Sequence, residues 1–378
     1  MPNKNAISLR QFTVLVLLMT VGDSLLVLPA IPASEAKHDA WISALAGLAF
    51  SLPILWLFGV ANRRFQGLSL IEYVHERFGR TFGTVLGLLF LIFPLTCSAV
   101  QIREIGDFMI THILPETPIQ AIHLLFIAVI LFGAAQGLEP IARTAEILFP
   151  WFLLLFTTFV LFLFPQIDFR NIQPVLGEGV KPVLRGALTA AAFPYTELVI
   201  LLMIAPYVTN REKAGKSLIV GAVLGGLVLI TVVSLCICVL GHYVSGSQLY
   251  PTYTLAKKIS VGLFLERLEA IMAIMWFISA YFKITIYVYA LHLGIAQTFK
   301  LNGYKPLLLP GGMLLVSLSI AIAPNIVHFQ TLITRYWPYL DFLYAIVFPL
   351  VVIGAHALRK AENSGPGGAA GKMKPEAR

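Results

Sequence analysis

Apolar residues in this chain gather into runs of about twenty, the length a helix needs to cross a bilayer. Ten such runs occur, at approximately residues 11–31, 41–61, 82–110, 119–136, 144–165, 183–207, 216–241, 267–298, 306–324 and 338–357. The pattern predicts an all-α polytopic membrane protein with ten transmembrane helices, a single domain over residues 1–358 and a disordered cytoplasmic tail over 359–378, rich in Gly, Pro, Ala and Lys. The third and eighth runs are long enough to tilt strongly or to project beyond the membrane. The connections at 62–80 and 242–266 carry apolar residues among polar ones and predict short interfacial helices that serve as scaffold.

Two runs are interrupted in the middle. In the first, Gly22, Asp23 and Ser24 stand at mid-depth, where glycine loosens a helix and an acid costs a few kcal/mol unless it faces protein or water. In the sixth, Ala190 to Glu197 contains Pro194, which removes a backbone donor, and Glu197, a second buried acid. The two breaks correspond if the chain is two halves of five helices, about 8–165 and 180–358. An odd number of crossings per half inserts the second upside down, which is the 5+5 inverted repeat of many secondary transporters, with helices 1 and 6 broken at the binding site.

Composition agrees with the pattern: 58% of the 378 residues are hydrophobic, 12% are charged, and the mean hydropathy is +0.84. A soluble domain is about 25% charged. The net charge of +8 suggests nucleic acid until the basic residues are placed. With the N-terminus inside, 17 of the 27 Lys and Arg fall on the inner side and 8 outside, which puts both termini in the cytoplasm and explains the charge without nucleic acid. The first run is longer than a secretory signal core and carries Asp23, so it reads as an uncleaved helix. Cys97, Cys236 and Cys238 all lie within apolar runs and read as small core residues.

Polar groups inside other runs complete a candidate site. Gln101 and Glu104 share one face of the third run at i, i+3, and Arg103 can pair with Asp107 at i, i+4. The eighth run carries Ser279, Lys283, Thr285, Tyr287 and Tyr289. Lys283 must pair or lose its proton, and Glu197, Asp23 and Glu104 are its candidate partners. Near the fourth connection, Arg143 can pair with Glu139 and with Glu146, as a hinge clamp or a partner contact. The spacings Gly79-x3-Gly83-x3-Gly87 and Gly221-x3-Gly225 allow close helix approach. No zinc-protease, Cys-x-x-Cys, phosphate-loop or nucleophile-elbow motif is present, and the histidines scatter to loops and span ends. An enzyme, a metal and a cofactor are therefore not expected.

Several segments together carry a family resemblance: Ile7 to Phe12, Asp39 to Ser43, Arg103 to Phe108, Leu114 to Pro118, Gly137 to Arg143 and Phe264 to Glu269. In their order and spacing the chain resembles the spore germination permeases, the B subunits of the germinant receptors of endospore-forming bacteria, within the amino acid-polyamine-organocation superfamily. One departure is Glu269, near which the family often has Asp. The resemblance implies a LeuT-type fold in the spore inner membrane, assembly with an A subunit and a lipoprotein C subunit, and recognition of a small germinant such as an amino acid. In sodium-independent carriers of this architecture an intramembrane amine can stand where a sodium ion would sit, a place that Lys283 can take.

The expected function is germinant sensing, with an amino-acid-like solute bound between helices 1, 3, 6 and 8. Gly22 and Ser24 would hold the solute carboxylate at a half-helix N-terminus. Glu197 or Glu104 would meet an amine, with Gln101, Tyr195, Thr285 and Tyr289 completing the ligand-binding set, and Lys283 and Asp23 serving ion or proton coupling. The alternatives are a proton-coupled amino-acid permease and a structural or ion-conducting subunit without a ligand of its own.

Overall fold

The computed structural model describes residues 6–259 and 269–354. The expected tail and most of the Phe264 to Glu269 motif lie outside the described residues.

Helix α1 (Leu9–Val21) begins at a capping box in which the Ser8 hydroxyl accepts from the Gln11 N–H and the Gln11 side chain accepts from the Ser8 N–H. It stops at Gly22, whose φ of +30° suits no other residue type well. The chain resumes as α2 (Ser24–Val27) and, past Pro29, as α3 (Ala30–Ala36). The first expected span is thus a broken helix. Next come α4 (Ala40–Arg64), α5 (Leu70–His112), α6 (Ile119–Gln136), α7 (Leu138–Leu163) and α8 (Val180–Tyr195).

The second break differs in kind from the first. Pro194 deprives the Ala190 carbonyl of its helical donor. Beyond Tyr195 the backbone tightens into a 3-10 helix over Thr196–Met203, with the Thr196 hydroxyl donating to the Ala192 carbonyl. The sixth expected span therefore changes pitch at mid-depth rather than unwinding.

The remaining elements are α9 (Arg211–Ser247), α10 (Pro251–Ala256), α11 (Glu269–Thr298), α12 (Leu308–Ala321), α13 (Ile326–Thr331) and α14 (Trp337–Phe342). Two π-helical turns, Leu332–Tyr336 and Leu343–Val347, bracket α14, so the last span starts at Ile326, well before the expected 338. Eight helical stretches among the described residues are long and apolar enough to cross a membrane, and Leu9–Val21 and Lys305–Ala321 are shorter apolar helices.

Packing brings distant segments together. Helix α9 lies along α1, and α4 packs on both α8 and α9. The glycines at 221 and 225 make the first contact possible: a Cβ on Gly221 would sit 2.6 Å from the Thr13 carbonyl oxygen, and one on Gly225 would sit 2.7 Å from Thr20 Cβ. Gly83 serves a different purpose. At Gly79, φ +76°, α5 breaks into two helices, the expected interfacial helix and the third span, and Gly83 lets the span lie on the backbone of His75.

At the N-terminal end of α1 the chain is tied down twice. Ile7 donates to the Tyr207 carbonyl and accepts from the Thr209 N–H, both at 3.0 Å, as an isolated parallel bridge. Glu146 of α7 accepts from Gln11 at 3.2 Å and pairs with Arg10 at 3.1 Å. This corrects one expected contact: Arg143 pairs with Glu139 at 2.6 Å, but Glu146 faces α1, because α1 crosses α7 there and brings a second arginine to it.

Candidate functional site

The ammonium of Lys283, projecting from the middle of α11, lies between the two broken helices. It is 2.5 Å from Asp23 Oδ1 and 2.7 Å from Glu197 Oε2, and all three side chains are buried. Each carboxylate comes from a helix interruption, and this is why the interruptions matter locally. Gly22 leaves room for the lysine stem, since a Cβ there would fall 2.3 Å from Lys283 Cδ. The Gly22 carbonyl, freed by the break, accepts from the Ser279 hydroxyl at 3.1 Å, one turn before Lys283 on the same helix. A buried lysine is tolerable only when its charge is matched and its donors are used, and two carboxylates achieve that here.

Glu197 is held from two further directions. The Tyr287 hydroxyl donates to Oε2 at 2.7 Å, and the Trp337 indole N–H donates to Oε1 at 3.2 Å. One turn beyond Trp337, Asp341 is fully buried, and neither of its carboxylate oxygens has a hydrogen-bond partner among the described residues. It lies within electrostatic range of Glu197, Lys283 and Asp23. The π-helical turns on either side of α14 are the kind of irregularity often found at functional positions.

Beside the triad is a cavity of about 50 Å³, room for a few waters or one very small solute. Asp23, Gln101, Glu104 and Glu197 supply its polar wall, and Val27, Ile31, Val100 and Phe193 its apolar one. Tyr250, which precedes α10, and Phe329, Gln330 and Thr334 from the last span line the other side. Helix α10, expected as interfacial scaffold, follows directly from this wall. It is buried, and the Thr252 hydroxyl donates to the Leu25 carbonyl at 2.7 Å, fastening it to α2 just beyond the first break. Gln101 and Glu104 are 3% and 4% exposed, and both amide atoms of Gln101 and Oε1 of Glu104 lack hydrogen-bond partners among the described residues. Buried polar atoms of this kind are normally paired, so those at a cavity wall are suited to a ligand.

The expected site residues separate into two groups. Asp23, Gln101, Glu104 and Glu197 meet at the cavity, and Lys283 lies immediately behind it. Gly22 and Ser24 do not line it. The Gly22 N–H is already used by the Leu18 carbonyl at 2.8 Å, and α2 has only four residues, too short for an anion-binding N-terminus. The Tyr195 hydroxyl instead faces Gly226 of α9, Thr285 packs near Gly133 of α6, and the Tyr289 ring meets Tyr304. Thr285 and Tyr289 point away because a helix presents each side to a different neighbour, and α11 is surrounded by α1, α5, α6 and α7.

Arg103 and Asp107 form the expected pair at 2.9 Å, and Arg103 also donates to the Ala323 carbonyl at 2.7 Å, capping the end of α12. Trp337, Asp341 and Tyr250 join the site without having been expected there. An acid within the tenth apolar run is the sequence signal for Asp341, whereas nothing local distinguishes Trp337 or Tyr250.

Comparison with known proteins bears on the fold and on the family. By structure, the chain is similar to MhsT in complex with L-phenylalanine, with a TM-score of 0.60 and 15% identity, covering 97% of this chain and 92% of that one. It is also similar to Mhp1, a nucleobase-cation-symport-1 family transporter in a closed conformation with bromovinylhydantoin bound, with a TM-score of 0.69 and 11% identity over 96% and 94% of the two chains. The fold is thus that of the LeuT-type transporters. By sequence, it is 29% identical over 351 residues to spore germination protein KB of Bacillus subtilis (strain 168), covering 92% of this chain and 93% of the relative. Spore germination protein YndE of the same organism is 27% identical over 325 residues, 84% of this chain and 87% of the relative. The sequence model of the Spore_permease family, described as spore germination protein, matches residues 6–327, and the chain belongs to that family.

Proposed function

We propose that this chain is the solute-sensing membrane subunit of a spore germination receptor, crossing the spore inner membrane ten times as a 5+5 inverted repeat with both termini on the core side. It binds a small solute in the cavity beside the Asp23, Lys283 and Glu197 triad and passes the change on to receptor partners, the A and C subunits. The observation that carries this reading is the unpartnered polar wall of Gln101 and Glu104 at a cavity between two broken helices. The ion triad joins the first break, the second break and α11, so a ligand touching Asp23 or Glu197 acts on the elements that would move in a rocking transition.

The likeness to transporters supports a second reading, a permease that carries its solute across. Reconstitution of the chain into proteoliposomes separates the two. Saturable binding of a small solute without uptake supports the sensor, and uptake driven by a proton gradient supports the permease. Absence of binding to a panel of small amino acids and their amides rejects both.

A further inference from the structure

The cavity has an unusual charge balance. Three carboxyl groups, Asp23, Glu104 and Glu197, face it, and no Lys or Arg among the described residues lines it. Both buried cations near it are engaged, Lys283 by two of those carboxyls behind the wall and Arg103 by Asp107. Neither break presents the start of a sizeable α-helix toward the cavity, because α2 is four residues long and the chain after Tyr195 continues as a 3-10 helix. The donor groups among its lining residues, chiefly Gln101, Tyr250 and Gln330, are all uncharged, so a carboxylate would meet no cation there. Its unpartnered acceptors, Gln101 Oε1 and Glu104 Oε1, are buried and suit a group with several N–H donors.

We infer that the solute is recognised through a primary ammonium group held by Glu104 and Gln101, and that a carboxylate on the solute is dispensable. The inference rests on the solute-sensing reading above and names the chemical class that reading leaves open: a small amine carrying one neutral hydrogen-bond acceptor, for which the Gln101 amide N–H₂ is the donor. The cavity restricts the rest of the molecule to a short apolar side chain against Val27, Ile31, Val100 and Phe193. An amino-acid amide satisfies each of these contacts. The corresponding free amino acid brings a negative charge toward carboxyl groups, and like charges at short range in a buried site repel.

The test is equilibrium binding by calorimetry to the purified full-length chain in lipid nanodiscs. The probes are glycine, alanine and valine, their amides, the matching unaminated carboxylic acids, and sodium chloride alone. The expected result is that an amide binds roughly tenfold more tightly than its amino acid, since relieving about 1.4 kcal/mol of repulsion is a factor of ten. The unaminated acids do not bind, and Glu104→Gln abolishes amide binding while the unfolding midpoint of the variant matches the parent. Binding of the unaminated acids, preference for the free amino acid over its amide, or binding that survives Glu104→Gln overturns the inference and leaves solute sensing standing. A response to sodium alone, or to no probe, overturns both.

Discussion

Replacing Lys283 with methionine keeps most of its stem and removes its charge. In the parent, the ammonium lies 2.5 Å and 2.7 Å from its two carboxylates. At an effective dielectric constant of about 20, each contact contributes about 6 kcal/mol of attraction before desolvation. Burial of the three ions offsets most of that, so the triad as a whole adds little net stability. Loss of the lysine alone is different, because it leaves Asp23 and Glu197 buried without a counter-charge. Lys283→Met should therefore lower unfolding free energy by about 3–5 kcal/mol. Neutralising the two acids in the same protein, as Asp23→Asn, Glu197→Gln and Lys283→Met together, should recover most of the loss. Equilibrium unfolding in mixed micelles, followed by tryptophan fluorescence, measures both. A single variant within about 1 kcal/mol of the parent, or a triple variant no better than the single, would refute the view that the triad is held together by charge balance.

Gly22→Ala places a methyl group against the Lys283 stem at a φ that L residues rarely adopt, and should cost at least about 1–2 kcal/mol in the same unfolding assay and abolish the germination response of the assembled receptor. Trp337→Phe retains the ring and removes the donor to Glu197, so a loss of about 1.5–3 kcal/mol is expected, against almost none for Trp151→Phe on the exposed face of α7. Asp341→Asn removes a buried acid whose oxygens have no partner among the described residues, so the variant should unfold no earlier than the parent while its receptor response is lost. Arg10→Ala removes an ion pair whose arginine side chain is 78% exposed, and should change stability by less than about 1 kcal/mol. If that pair instead holds the N-terminal end of α1 shut, limited proteolysis near Ile7 will be faster in the variant.

Much of this protein is legible in its sequence because a bilayer imposes strict rules on a chain. Apolar runs must be long, and a Gly-Asp-Ser or a proline-glutamate pair inside one must be accommodated by other protein groups, so both breaks and the membrane-embedded lysine stand out from the order of residues alone. The pairing of Lys283 with Asp23 and Glu197 is one of a few arrangements that charge balance allows. Which way each side chain faces is not written there. Tyr195, Thr285 and Tyr289 have the right chemistry and depth, yet they turn toward α9, α6 and Tyr304. Trp337 and Tyr250 reach the site from segments remote in sequence.

The sequence by itself determined the class of protein, the positions of its interruptions and the need for a buried counter-charge, since these follow from local hydrophobicity and the cost of polar groups in lipid. Only the tertiary structure decided that α9 lies on α1, that α10 folds inward onto α2, and that the space beside Gly22 holds a lysine stem. These outcomes depend on close packing between helices far apart in the chain, where a clearance of one methyl group selects one neighbour over another, and no local pattern encodes that choice.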